Sequence, residues 1–124
     1  MSYDPELEAS LTGNSKTFHL KTAWIHNEPV FIPLGQRYHD GSTAWQLIDA
    51  NDYSPMAKAT VCLVAYDLKP AEGHVFIKSY SENEGMYEGL KSSGIIGEHT
   101  EGHPVELVMR DVYHCPINYD KLVG

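Results

Sequence analysis

Ser79-Tyr80-Ser81-Glu82-Asn83-Glu84-Gly85-Met86-Tyr87-Glu88-Gly89-Leu90-Lys91-Ser92-Ser93-Gly94 is the one stretch of the chain that reads as a helix, and strand-like sequence lies on both sides of it. Ser81 suits an N-cap, and Glu84 three residues on completes a capping box. Glu82 and Glu84 place negative charge in the first turn, where the helix dipole favours it. Met86 and Leu90 fall one turn apart on one face, and Gly94 is a natural stop. The pattern predicts a helix over 81–93. Gly85 and Gly89 share a neighbouring stripe, although each glycine costs a helix interior ~1 kcal/mol relative to alanine. The backbone there must approach something closely: the sheet it packs on, or, as a sharper alternative, a ligand or partner strand.

Outward from the helix the period changes to two. Phe18, Leu20, Thr22 and Trp24 alternate with His19, Lys21 and Ala23, as in a half-buried strand. Val30–Leu34 follows, with Pro33 marking an edge or an end. Asp40-Gly41 is a hairpin signal, Thr43–Ile48 a strand, and Asp49–Pro55 a turn. Lys58–Leu68 is apolar on both faces and is expected to be the central strand. His74–Tyr80 is a further strand, Ile95-Ile96 re-enters the sheet, and Val105–Tyr113 is the last strand, with Pro116 ending it. Trp24 and Trp45 fit core positions. The expected fold is α+β: a mostly antiparallel sheet of five to seven strands with a single helix packed on one face. Residues 1–15 are polar and aperiodic and are expected to form a loose lead-in, with 16–124 one globular domain.

Seventeen acidic residues against nine basic give a net charge of −8. Such a surface repels phosphate backbones, so direct nucleic-acid binding is not expected. It favours a basic partner, or serves solubility alone. No apolar run approaches the ~20 residues that span a bilayer, so no membrane association is expected. The first residues carry no apolar core of a signal peptide. Two cysteines, Cys62 and Cys115, make no disulfide framework. The expected location is the cytoplasm.

Histidine is enriched: seven residues. His99 and His103 have the His-x₃-His spacing of some zinc sites, and His114 could add a ligand. Gly97, Gly102 and Pro104 break any helix that would align the first two, so the spacing is a weak signal. There is no Gly-x-Ser-x-Gly elbow, no Walker loop and no Gly-x-Gly-x-x-Gly. Cys115 follows His114 directly, and their side chains would diverge in a strand. Glu98, Glu101 and Glu106 fit a solvated loop. No catalytic residue, metal or cofactor is expected.

The segments Thr43–Asp49, Ala59–Leu63, Phe76–Met86 and Leu90–Ile96, closing on Cys115-Pro116, together resemble a family of small uncharacterised proteins encoded by bacterial plasmids, phages and related mobile elements. The Ser-Glu-Asn-Glu-Gly stretch within Tyr80–Gly85, and Gly94-Ile95 after the helix, carry the resemblance, which covers a little over half the chain. It implies an accessory protein of mobile DNA and transfers no catalytic residue. Three functions follow as expectations. The first is a non-catalytic interaction protein, such as an inhibitor of a host defence complex, that meets a basic protein surface through Glu82, Glu84, Tyr87 and Glu88 on the exposed side of the helix. The second is a small metal- or ligand-binding domain or enzyme using His99, His103 and His114. The third is a structural homo-oligomer joined at a sheet edge near Pro33.

Overall fold

Among the described residues, four short antiparallel strands come first: β1 (Phe18–Leu20), β2 (Glu28–Phe31), β3 (Gln46–Asp49) and β4 (Pro55–Lys58), paired in that order. Strands β5 (His74–Lys78) and β6 (Val112–Pro116) form a separate antiparallel pair, with Phe76 opposite His114. Among the described residues there are three short α-helices: α1 (Met86–Ser92), α2 (Val105–Val108) and α3 (Tyr119–Val123). This computed structural model describes residues 13–123. Most of the expected lead-in, 1–12, lies outside the described residues. Of the remainder, Asn14 bridges to Pro33, and the Ser15 hydroxyl accepts the Ile32 N–H at 2.9 Å.

The α+β class holds, but the strands do not make one sheet of five to seven. The expected central strand, Lys58–Leu68, is not one. After β4 the chain makes only a short seam with β5. Lys78 N–H donates to Ala59 O at 3.0 Å and Val61 N–H to Phe76 O at 3.2 Å. Leu63 then drops into the core, and Val64–Tyr66 forms an exposed 3-10 turn. Alternation of apolar residues made 58–68 look buried on both faces, yet Val64 and Tyr66 face solvent. Cys62, expected in that strand, sits partly exposed in irregular chain.

The strand covered on both sides is β5. Val75 and Ile77 are fully buried in the main core with Leu20, Val30, Leu47, Met86 and Leu90. Phe76 points the other way, into a second, smaller core with Leu63, Val105 and Val112. Each such side chain, fully buried, stabilises by about 1.5–3 kcal/mol, so β5 alone contributes to both cores.

Three more expectations are corrected. The β1 alternation stops at Leu20, because the Thr22 hydroxyl accepts the N–H groups of Trp24 and Ile25 and turns the chain. Ile25 is buried in place of Trp24, which is 65% exposed; Trp45 is a core residue as expected. Val105–Tyr113 is not a continuous strand. Pro104 starts α2, and Asp111, at φ 58°, separates it from β6. The tail is helical, and its Tyr119 and Leu122 are buried.

The expected helix over 81–93 is split. Ser81–Asn83 is a 3-10 turn, Gly85 takes φ 83°, and only Met86–Ser92 is α-helical. The capping box does not form. Ser79, at the end of β5, takes that role, its hydroxyl accepting the Tyr87 N–H at 3.1 Å.

Candidate functional site

Two side-chain groups are candidates, one around α1 and one on β5–β6. The first is positioned by close backbone contact. Ala23 N–H donates to Glu84 O at 3.0 Å, and the Ser93 hydroxyl donates to His19 O at 2.6 Å. A Cβ on Gly89 would collide with the Lys21 carbonyl oxygen, and one on Gly85 would lie 3.2 Å from Ala23 N. Both glycines therefore serve packing, against the chain leaving β1. Asn83, wholly buried, donates through Nδ2 to Lys58 O at 2.6 Å and to Lys78 O at 3.2 Å, which ties the ends of β4 and β5 together.

This scaffold leaves Glu82, Glu84 and Glu88 exposed. Glu82 lies 3.8 Å from the half-buried Lys78 Nζ, a long pair on a solvated carboxylate and of little energetic weight. Tyr87 is not on the exposed side: it is 5% exposed. The buried stripe of α1 is wide enough to take in Met86, Tyr87, Gly89 and Leu90. The Tyr87 ring stacks on Tyr113 with centroids 4.3 Å apart. Its hydroxyl donates to Glu98 Oε2 and accepts the His99 N–H, both at 3.1 Å. Burial pushes the phenol above its ordinary value. Lys91 Nζ reaches both Glu98 oxygens, at 3.0 and 3.2 Å, and lies 5.1 Å from the centre of the Tyr87 ring. Hydrogen bonding by Lys91 holds the Glu98 carboxyl below its usual range.

The second group is a stack of imidazoles. Period two puts His74 and Phe76 on one face of β5, and the strand register brings His114 opposite Phe76. His114, 4% exposed, stacks on His74 (centroids 4.6 Å, planes 5° apart) and on His103 (4.1 Å, 18°). Phe76 packs against His103 and His114. The hydrogen bonds decide the tautomers. His114 Nε2 accepts the Ala71 N–H at 3.1 Å, so Nδ1 carries the proton and donates to Thr100 Oγ1 at 2.8 Å. His103 Nδ1 accepts the Val105 N–H at 3.0 Å. His74 Nδ1 lies 2.8 Å from the Glu72 carbonyl and therefore donates to it. Burial, then the neighbouring His103 and His74, depress His114 to about 4. Burial also lowers His103, against a raising influence from Glu106.

The expected trio is thus divided. His103 and His114 come together, and their third member is His74. His99 packs edge-on against Tyr87 and Tyr113, with Nδ1 3.7 Å from Glu106 Oε1. A metal needs convergent lone pairs. Both His114 nitrogens and the His103 Nδ1 are already committed inside the protein. Among the described residues, no group of three or more His, Cys, Asp or Glu side chains is placed to hold a metal ion. Cys115 is buried, and desolvation pushes its thiol up to about 12, far from a reactive thiolate. His74 and Thr100 had no sequence signal as site members, because only the β5–β6 pairing and the return of the 97–104 loop bring them to His114.

No protein-family model matches the chain, and neither the curated proteins nor the solved structures yield a match to it. Among the described residues, no helix is long and apolar enough to cross a membrane.

Proposed function

We propose that this chain is a non-catalytic interaction protein that docks on a basic surface of a protein partner. The supporting observation is the set of exposed carboxylates Glu82, Glu84 and Glu88, carried on a segment held near both ends by side-chain hydrogen bonds to the backbone, Asn83 to Lys58 O and Ser93 to His19 O. A rigid acidic edge meets a cationic surface without first being ordered, so less entropy is lost on binding. The net charge of −8 steers such an encounter. Tyr87 contributes indirectly, by holding α1 against β6 through Tyr113. The proposed setting, an accessory protein of a mobile element that inhibits a host defence complex, rests on the resemblance carried by Tyr80–Gly85.

The test is affinity capture from bacterial lysate at low salt, run in parallel with native protein and the triple variant E82Q/E84Q/E88Q. A basic protein retained by the native chain, released by salt and lost with the triple variant is the expected result. Retention of the same partner by both proteins, or capture of none, removes the proposal.

A further inference from the structure

The imidazole stack has a property separate from any docking edge. In two of its three members the lone pair that a proton would occupy is already used by a backbone N–H. His114 Nε2 accepts from Ala71, on the turn before β5, and His103 Nδ1 accepts from Val105, the first residue of α2. Protonation converts each acceptor into a donor facing a donor. It also sets positive charges against one another in rings 4.1 and 4.6 Å apart.

We propose that His103 and His114, stacked with His74, form an acid-operated latch, which when neutral pins the 69–73 turn and the start of α2 beside the second core and when protonated releases both. What the latch holds is specific. Thr100 is tied to β6 by its N–H to His114 O at 2.8 Å and by its hydroxyl, which accepts from His114 Nδ1; both bonds survive protonation, so the 97–104 loop stays on β6 while the turn and the start of α2 let go. Val105 plugs the small core of Leu63, Phe76 and Val112. Loss of the His103–Val105 and His114–Ala71 bonds frees that plug from one side, while the main core is untouched. Among charged groups facing the stack, Glu106 on α2 favours protonation of His103, and the remaining influences on His114 are the two other imidazoles. Glu72 on the turn and Glu101 in the loop are exposed.

The direction follows from proton linkage. The released imidazole titrates at the ordinary value of 6.5, and the latched one near 4. Protons therefore bind the released form more tightly, and the latched form loses ground as pH falls from about 6.5 towards 4. That difference multiplies the ratio of released to latched molecules by up to ~300-fold across the window.

The experiment is a proton–nitrogen NMR titration of the full chain from pH 7.5 to 4. The expected result is a His114 midpoint well below that of a free imidazole. The Ala71 amide signal should shift or broaden with that midpoint and the Val105 amide with the His103 titration, while the Thr100 and β1–β3 amides stay in place. A His114 midpoint near 6.5 with the Ala71 and Val105 amides unmoved overturns the latch. So does simultaneous loss of amide signals throughout both sheets, which is global unfolding. His103→Phe keeps a flat ring on the stack and removes its proton site, and it is the variant of choice if His114 replacements do not fold. Its Val105 amide should lose its pH dependence while Ala71 retains it, and an unchanged Val105 titration also overturns the latch.

Discussion

Gly89→Ala sets two physical effects of opposite sign against each other. Taken as a helix position alone, the change is favourable by ~1 kcal/mol, since alanine is the best helix former and glycine among the worst. Taken in place, the new Cβ overlaps the Lys21 carbonyl oxygen and lies 2.9 Å from Leu20 Cδ1. Neither neighbour can yield freely. Leu20 is fully buried. Lys21 is followed by Thr22, whose N–H donates to Ile25 O at 2.9 Å, and by Ala23, bonded to Glu84 O. Relief therefore requires α1 to move outward. That movement lengthens the Ser93–His19 and Ala23–Glu84 bonds and draws Met86 and Leu90 out of the main core. Overpacking of this kind costs 1–3 kcal/mol, roughly, and backbone contacts sit at the upper end. The packing term wins, with a net destabilisation of about 2 kcal/mol, which is roughly a 5–10 °C fall in Tm for a chain of this size. Differential scanning calorimetry and urea melts measure it, with Ser92→Ala on the exposed side of α1 as the propensity control. A Gly89→Ala protein that melts at or above the native temperature would refute the packing account. It would also revive the idea that the glycine stripe is kept clear for a ligand or a partner strand.

Three further outcomes are expected. Asn83→Ala removes both side-chain bonds that join Lys58 O to Lys78 O and should cost about 2 kcal/mol in urea denaturation; an unchanged midpoint means the two sheets are held by the Ala59–Lys78 seam alone. Ser79→Ala takes away the acceptor of the Tyr87 N–H and should lower stability by about 1 kcal/mol, the typical worth of a helix cap. Burial raises the Cys115 thiol to about 12, so below that pH it stays protonated. Iodoacetamide at pH 8.5 should label the partly exposed Cys62 and spare Cys115 until urea unfolds the chain, as read by mass spectrometry of the peptides.

How far the fold was legible depends on where local pattern and tertiary pairing agree. Phe18–Leu20, Gln46–Ile48 and His74–Lys78 lie within predicted strands, because their apolar residues are buried, on one face in β1 and β3 and on both in β5. Lys58–Leu68 fails because an apolar run records only that its residues tolerate burial. Whether they pair depends on a neighbour, and β5 offers the run only the seam around Thr60 before β6 takes its other edge. The helix is half right for a related reason. Ser81 and Glu84 look like a capping box, but Gly85 in the left-handed region resets the chain direction just before α1. The N-terminal donor is then satisfied from Ser79, two residues upstream of the supposed cap.

The candidate sites divide along the same line. Carboxylates are legible as exposed because solvation keeps them outside, yet of Glu82, Glu84 and Glu88 only Glu88 lies on the α-helix expected to carry all three. Tyr87 is not, since an aromatic ring beside acids fits an interface or a core equally well, and its stacking partner Tyr113 lies on a strand with no sequence link to it. Histidine is the least legible of all. His99 and His103 are neighbours in sequence, yet they separate into a tyrosine cluster and an imidazole stack. His74 and His114, forty residues apart, meet face to face because β5 and β6 pair in the register Phe76 to His114. The spacing His-x₃-His suggested chelation, where lone pairs turn outward to a shared ion. The folded chain instead turns the lone pair of His103 inward to Val105 and that of His114 to Ala71. The same residues thereby become responsive to protons, because the atom that would bind the proton is the atom that holds the start of α2 or the turn.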